Sequence, residues 1–228
     1  MPVVPKKILV CIIVYDRIKN LNLWLTAWKS CQQHDSKIAV IHNYDGEIPQ
    51  PEYKHLCDMH SVDFYCPRHN KGYDIGALQD LQRKRLSNHD LNNYEFDLLF
   101  WSVDDCLPLD KLFMFHFLDK ICQDKCGLCG VQISNECSKH LRTNTFIIKK
   151  ELFNDIKFPA DPIHTKSECY EFEHRGLTLT KQIEKAGFLV EQVHPLFHKY
   201  FWDINHHRQL KLWNKFYHEF PECVGAKP

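Results

Sequence analysis

The residues best suited to chemistry in this sequence are two adjacent carboxylates, Asp104 and Asp105, which follow directly on the apolar run FDLLFWSV. Carboxylates at the end of so apolar a segment are costly unless something positive sits beside them. Mg²⁺ and Mn²⁺ take oxygen ligands and often use only one or two carboxylates, with substrate phosphates completing the shell. The competing reading has one Asp cap the helix that starts near Leu109 while the other is solvated. A second candidate is RHNKGYDIGA, Arg68 to Ala77. Gly72 and Gly76 permit close backbone approach, and Arg68 and Lys71 can pair with phosphate. A helix N-terminus near Gly76 adds partial positive charge. The same letters also make an ordinary turn, and they match neither the phosphate-binding P-loop nor the dinucleotide fingerprint.

The elements that must position these groups follow from hydrophobic pattern. Strands are expected at residues 8–15, 37–42, 61–66, 96–103, 127–133, 145–149 and 188–193. Helices are expected at 20–30, 76–86, 109–121, 177–186 and 206–220, with a helix or turn at 151–156. The helix at 109–121 carries Leu112, Phe113, Phe115, His116 and Leu118. Strands alternating with helices predict an α/β fold with a mostly parallel central sheet flanked by helices. Ligands in such sheets bind outside the carboxyl ends of the strands. Four polar clusters fall at such ends: Tyr15-Asp16-Arg17, Asn43-Tyr44-Asp45, the Arg68 to Asp74 stretch, and Asp104-Asp105. Their convergence favours the metal reading over the cap.

Composition narrows the function classes. The chain has 228 residues, of which 44% are hydrophobic and 25% charged, which excludes a disordered chain. Lys+Arg and Asp+Glu both number 29, so the basic excess of a nucleic-acid binder is missing. The longest apolar runs fall far short of the roughly 20 residues that cross a bilayer. The start MPVVPKKILV lacks the pattern of a secretory leader. The 11 cysteines are therefore expected mostly reduced, in the cytoplasm. Cys122, Cys126, Cys129 and Cys137 could together hold zinc. A strand over 127–133 would point neighbours apart, so buried thiols are the favoured reading.

Five stretches together resemble the nucleotide-sugar-dependent glycosyltransferases of the GT-A fold, above all family 2 and its rhamnan-synthesis relatives. They are IIVYDR, HNYDG, RHNKGYDIGA, FWSVDDCLP and LRTNTFIIKKELF, spanning about residues 8–198. RHNKGYDIGA, similar to the family's Asn-x-Gly-x-Asp-x-Gly-Ala stretch, is the most specific. The resemblance implies a single Rossmann-like GT-A domain over residues 1–200. Residues 201–228 would form an extension whose amphipathic helix packs on the same domain. It implies a hexosyl- or deoxyhexosyltransferase that moves a sugar from a nucleoside-diphosphate sugar, UDP first, to a hydroxyl of a glycan or other acceptor, with inversion.

The resemblance also implies site residues. Tyr15, Arg17, Asp45, Arg68, Asp74 and Asp104 would surround the nucleotide sugar, Arg68 pairing with phosphate or with Asp74. Asp104 and Asp105 would hold Mn²⁺ or Mg²⁺, with His198, near His194, as a further ligand. His206-His207-Arg208 could reach the diphosphate or form a solvated face. The family's DxD pattern would place its first acid at Ser102, and this chain has none there. A catalytic base is expected just before the helix at 177–186, which offers Glu173 first and Glu171 second. An acidic helix start is the plain alternative for both. The missing acid at Ser102 motivates a rival reading, a nucleotide- or glycan-binding module without turnover. A nucleotidyltransferase would need a Gly-rich basic loop after the first strand, and IIVYDRIKN lacks one.

Overall fold

The run ILVCIIV forms strand β1 (Ile8–Val14), and all seven of its side chains are buried. Successive strand residues face opposite sides of a sheet, so a strand covered on both faces has no polar position. Ile8, Val10, Ile12 and Val14 enter one apolar layer, and Leu9, Cys11 and Ile13 enter the other. The computed structural model describes residues 7–30, 35–108, 112–134 and 137–193, and the backbone of 201–203.

After β1 come α1 (Ile18–Ser30), β2 (Ser36–Tyr44), α2 (Pro51–Met59), β3 (Phe64–His69), α3 (Tyr73–Gln82), α4 (His89–Asn93) and β4 (Leu98–Val103). Then follow β5 (Cys106–Pro108), α5 (Phe113–Ile121), β6 (Cys126–Gly130), β7 (Ile133–Ser134), β8 (His140–Leu141) and β9 (Thr145–Lys149). The rest are α6 (Lys150–Asp155), α7 (Lys166–His174), α8 (Leu179–Lys185), β10 (Leu189–Gln192) and β11 (Phe201–Asp203).

The main sheet has seven strands in the order β10-β6-β9-β4-β1-β2-β3. All neighbours in it are parallel except β9, which runs antiparallel to both β4 and β6. A parallel return needs a crossover of a dozen or more residues, usually helical. Among the described residues between β6 and β9 there is the small β7–β8 pair and no helix, and β9 comes back antiparallel. Helices α1, α2 and α5 bury side chains in one layer, and α3, α6, α7 and α8 in the other.

The expected α/β architecture is present, with local differences. Helices α2, α4 and α7 fall where no helix was expected, although Pro51 at the first turn and Glu52 beside it are start signals for α2. Helix α3 begins at Tyr73, three residues before the expected start. Helix α5 begins at Phe113 and buries Phe113, Met114, Phe117 and Ile121, leaving Leu112 and Phe115 exposed. Residues 201–203, expected in the extension, pair as β11 with β5, just after the Asp104-Asp105 pair. The expected helix at 206–220 lies outside the described residues. No helix among the described residues is long and apolar enough to cross a membrane.

The nine described cysteines are free thiols. Cys126 and Cys129 sit buried in the apolar layer under α5. Burial pushes the Cys126 thiol up to about 11 and raises that of Cys129 as well. Zinc binds the thiolate, and among the described residues no three metal-ligating side chains converge. The four cysteines that could have shared a zinc ion are instead two buried thiols and two exposed ones, Cys122 and Cys137.

Candidate active site

Strands β1, β2, β3 and β4 are parallel neighbours, so the residues just after them reach one edge of the sheet. There they line a cleft of about 680 Å³. Tyr15 and Arg17 come from the end of β1, Asn43 and Asp45 from β2, Asn70 from β3, and Asp104 and Asp105 from β4. Tyr73 and Asp74, at the start of α3, form the floor between them. The far wall carries Arg142, Asn144, His164 and Glu173.

Asp104 continues the β4 ladder, its backbone N–H donating to the Ile13 carbonyl at 3.0 Å. This fixes its side chain at the sheet edge with only 6% exposure. Its Oδ2 is buried without a hydrogen-bond partner among the described residues. Burial raises its carboxyl to about 7, against the opposing pull of the Arg17 guanidinium. Asp105 is 8% exposed and is paired with Arg17, with Asn20 Nδ2 a further donor at 3.4 Å. A buried carboxylate oxygen with an open coordination position is a natural cation ligand, and the second acid lies beside it.

Ser102 shows why the absent first acid leaves the cleft intact. Its side chain is fully buried, 3.4 Å from the Trp24 indole nitrogen and 3.1 Å from the Thr145 hydroxyl. It faces the interior between β4, α1 and β9. An acid there would be buried away from the cleft.

The glycines of RHNKGYDIGA shape the floor. Gly72 has φ +68°, and a Cβ on it would lie 2.5 Å from the Ile163 carbonyl oxygen. Only glycine suits both demands. The Cys169 thiol donates to the Gly72 carbonyl at 3.3 Å, which ties this turn to α7.

At the other end of the cleft Asp74 and Glu173 interact. Asp74 is held well above the usual carboxylate range, first by burial and second by the negative Glu173. Glu173 Oε1 accepts from the Thr143 hydroxyl at 2.6 Å. Tyr15 donates its hydroxyl to Asp45, which pushes the tyrosine's pKa up and holds it neutral.

Two expected site residues are placed differently. Arg68 does not reach Asp74 or line this cleft. It donates to Asp80 at 2.9 Å, to Asn43 Oδ1 at 2.6 Å and to the Lys71 carbonyl at 2.7 Å. It is a brace beneath the cleft, because the turn after β3 folds its carbonyl back onto the guanidinium. Replacing Arg68 by Met is expected to lower stability by about 3–5 kcal/mol, since it strands a part-buried Asp80. Chemical denaturation measures this, and an unchanged midpoint would contradict the brace. Glu171 does not line the cleft either, its Oε1 accepting from the Gly176 N–H at 2.9 Å at the end of α7. His198, like His194 and the His206-His207-Arg208 run, lies outside the described residues.

Asn43 and Asn70 were expected at the strand ends only as members of their clusters, and Arg142, Asn144 and His164 were not singled out from the sequence. The first four lie inside stretches that resemble the family, HNYDG, RHNKGYDIGA and LRTNTF, so a signal was present. His164 sits in a loop with no motif at all.

No family model and no curated protein matches the sequence. Solved structures do match in fold. The mannosyltransferase PcManGT from Pyrobaculum calidifontis, in complex with GDP-Man and Mn²⁺, aligns with TM-score 0.59 and 11% identity over 84% of this chain and 55% of that one. Glucosyl-3-phosphoglycerate synthase from Mycobacterium tuberculosis, in complex with Mn²⁺, UDP and glucosyl-3-phosphoglycerate, aligns with TM-score 0.52 and 8% identity over 82% and 70%. A cytidylyltransferase from Leptospira borgpetersenii aligns with TM-score 0.51 and 14% identity over 82% and 75%. The chain spans about half the length of the mannosyltransferase. Taken with the strand order and the acid pair at the end of β4, the fold is that of the GT-A nucleotide-sugar glycosyltransferases.

Proposed function

We propose that the chain is a metal-dependent glycosyltransferase of the hexosyl or deoxyhexosyl type. It takes a nucleoside-diphosphate sugar, UDP-linked by preference, and transfers the sugar to a hydroxyl with inversion. The observation that carries this reading is the buried, unpartnered Oδ2 of Asp104 beside Asp105 in the strand-end cleft. The cleft holds five carboxyls against two arginines. A diphosphate enters so acidic a space only with a cation to bridge it. Asp104, with Asp105, would hold Mn²⁺ or Mg²⁺, the ions present in neighbouring GT-A structures. Such an ion neutralises charge on the departing diphosphate.

The chain's own residues do the rest. Tyr15 and Asp45, joined by their hydrogen bond, form the nucleotide end of the cleft. Arg17 holds Asp105 in place. Asp74 lies under the sugar and, with its raised carboxyl, can donate a hydrogen bond as a neutral acid near pH 7. Glu173, held by the Thr143 hydroxyl, takes the proton from the acceptor oxygen as that oxygen attacks the anomeric carbon on the face opposite the leaving group. The free thiols fit a reducing compartment such as the cytoplasm.

The test is incubation with UDP-, GDP- and dTDP-sugars, Mn²⁺ and a panel of hydroxyl acceptors. Release of nucleoside diphosphate with a product of inverted anomeric configuration is expected. Release of pyrophosphate from a nucleoside triphosphate would instead support the nucleotidyltransferase chemistry of the Leptospira neighbour. Nucleotide binding without any transfer would support the binding module.

A further inference from the structure

Beside the main cleft lies an annex of about 40 Å³ lined by His140, Arg142, Thr143, Asn144, Glu173 and His174. Arg142, Asn144 and Glu173 line both spaces, so the annex adjoins the cleft where Glu173 stands. Arg17 is paired with Asp105 and Arg68 with Asp80. Arg142 is different: among the described residues its guanidinium has no ion-pair or hydrogen-bond partner. A half-buried guanidinium with its donors unused is costly unless a ligand supplies acceptors.

His140 gives a second, independent sign. It is 1% exposed, and its Nδ1 lies 2.7 Å from the Ser138 carbonyl oxygen. A carbonyl only accepts, so Nδ1 carries the proton. That leaves Nε2, which is buried and has no partner among the described residues. On protonation this nitrogen becomes a donor. The His174 ring stands edge-on at 4.8 Å and holds the imidazole in place.

Size limits the occupant. One water needs roughly 10–15 Å³ of such space, so the annex admits a head group of a few atoms and excludes a sugar ring. An oxyanion satisfies a guanidinium fork and an imidazolium together. We propose that the annex is the subsite for an anionic group, a phosphate or a carboxylate, carried by the acceptor. Arg142 and His140 Nε2 grip the anion and so present the acceptor hydroxyl to Glu173. The word acceptor rests on the transferase reading, whereas the anion site rests on the annex alone.

The test titrates inorganic phosphate into the full chain, alone and with UDP or GDP plus Mn²⁺, and follows binding by calorimetry. Phosphate is expected to bind in both states. Arg142→Gln is expected to weaken it about tenfold or more, the scale of charge-assisted hydrogen bonds. Arg142→Lys should recover part of the loss, because it keeps the charge without the fork. Nucleoside diphosphate affinity of Arg142→Gln should fall several-fold less than phosphate affinity, because the arginine lines the cleft as well as the annex. The inference is overturned if phosphate does not bind or if its binding ignores Arg142. It is also overturned if Arg142→Gln weakens nucleotide as much as phosphate, which assigns the arginine to the donor diphosphate. The two readings fail separately. Loss of all nucleotide binding with an Arg142-dependent phosphate site intact sinks the transferase reading alone. Nucleotide binding without Arg142-dependent phosphate binding sinks the subsite alone.

Discussion

Asp104→Asn is expected to stabilise the metal-free chain and to abolish its response to Mn²⁺ with nucleotide. The sign of the first effect follows from linkage. Burial raises the Asp104 carboxyl to about 7 in the folded state, against about 3.9 in an unfolded chain. Below pH 4 both states hold the proton and the residue costs nothing. As pH rises toward 7 the unfolded state releases its proton first, so stability falls, and above 7 the penalty is complete. At about 1.4 kcal/mol for each unit, the penalty at pH 8 is roughly 2–4 kcal/mol. Asn has the same shape without the charge. Its Tm at pH 8 should therefore exceed the parent's by roughly 5–15 °C, and the gap should shrink as pH falls and close below about pH 4. A cation that displaces the proton must bind more tightly as pH rises, by up to about tenfold for each unit below 7. The Asn variant should bind none. Equal Tm values at pH 8, or an unchanged Mn²⁺ response, would contradict this role.

Glu173→Gln is expected to remove transfer while sparing nucleotide binding. General-base catalysis contributes about 10²–10⁴-fold, so kcat should fall by that factor. Gln still accepts the Thr143 hydroxyl bond, which keeps the side chain in place. Removing the negative neighbour should also let the Asp74 carboxyl relax only part of the way, because burial is the larger cause of its shift. Carbon-detected NMR of Asp74 in both proteins reads this directly. Glu171→Gln serves as the contrast. Its carboxylate caps the end of α7 outside the cleft, so transfer should stay within about threefold. A full loss in the Glu171 variant with activity in the Glu173 variant would exchange the two roles.

Much of the frame was legible because its signals are strong and local. Seven buried residues in ILVCIIV can only be a strand covered on both faces, and FDLLFWSV ending in two acids marks the neighbour strand. Gly72 was legible as a place of close backbone approach, and the Ile163 carbonyl oxygen comes within 2.5 Å of where its Cβ would sit. What escaped depends on tertiary placement. Arg68 reads as a phosphate ligand in sequence, and only the fold brings Asp80 and the Lys71 carbonyl around it. Glu171 and Glu173 are two residues apart on α7, and a helix turns such a pair to different sides. Arg142 and Asn144 were hidden because nothing in LRTNTF distinguishes a side chain facing a cleft from one facing solvent.

The central claim is a cleft for a nucleoside diphosphate held through a metal at Asp104. Thermal unfolding with UDP, GDP, CMP and dTDP, each with and without Mn²⁺, tests it most directly. A ligand that binds only the folded state stabilises it by about 2.7 kcal/mol at a hundredfold excess over its Kd. The expected result is a rise in Tm with one nucleoside diphosphate, UDP first, that requires Mn²⁺ and vanishes in Asp104→Asn. No Mn²⁺-dependent rise with any of the four would contradict it and leave the acid pair as a costly feature of the fold.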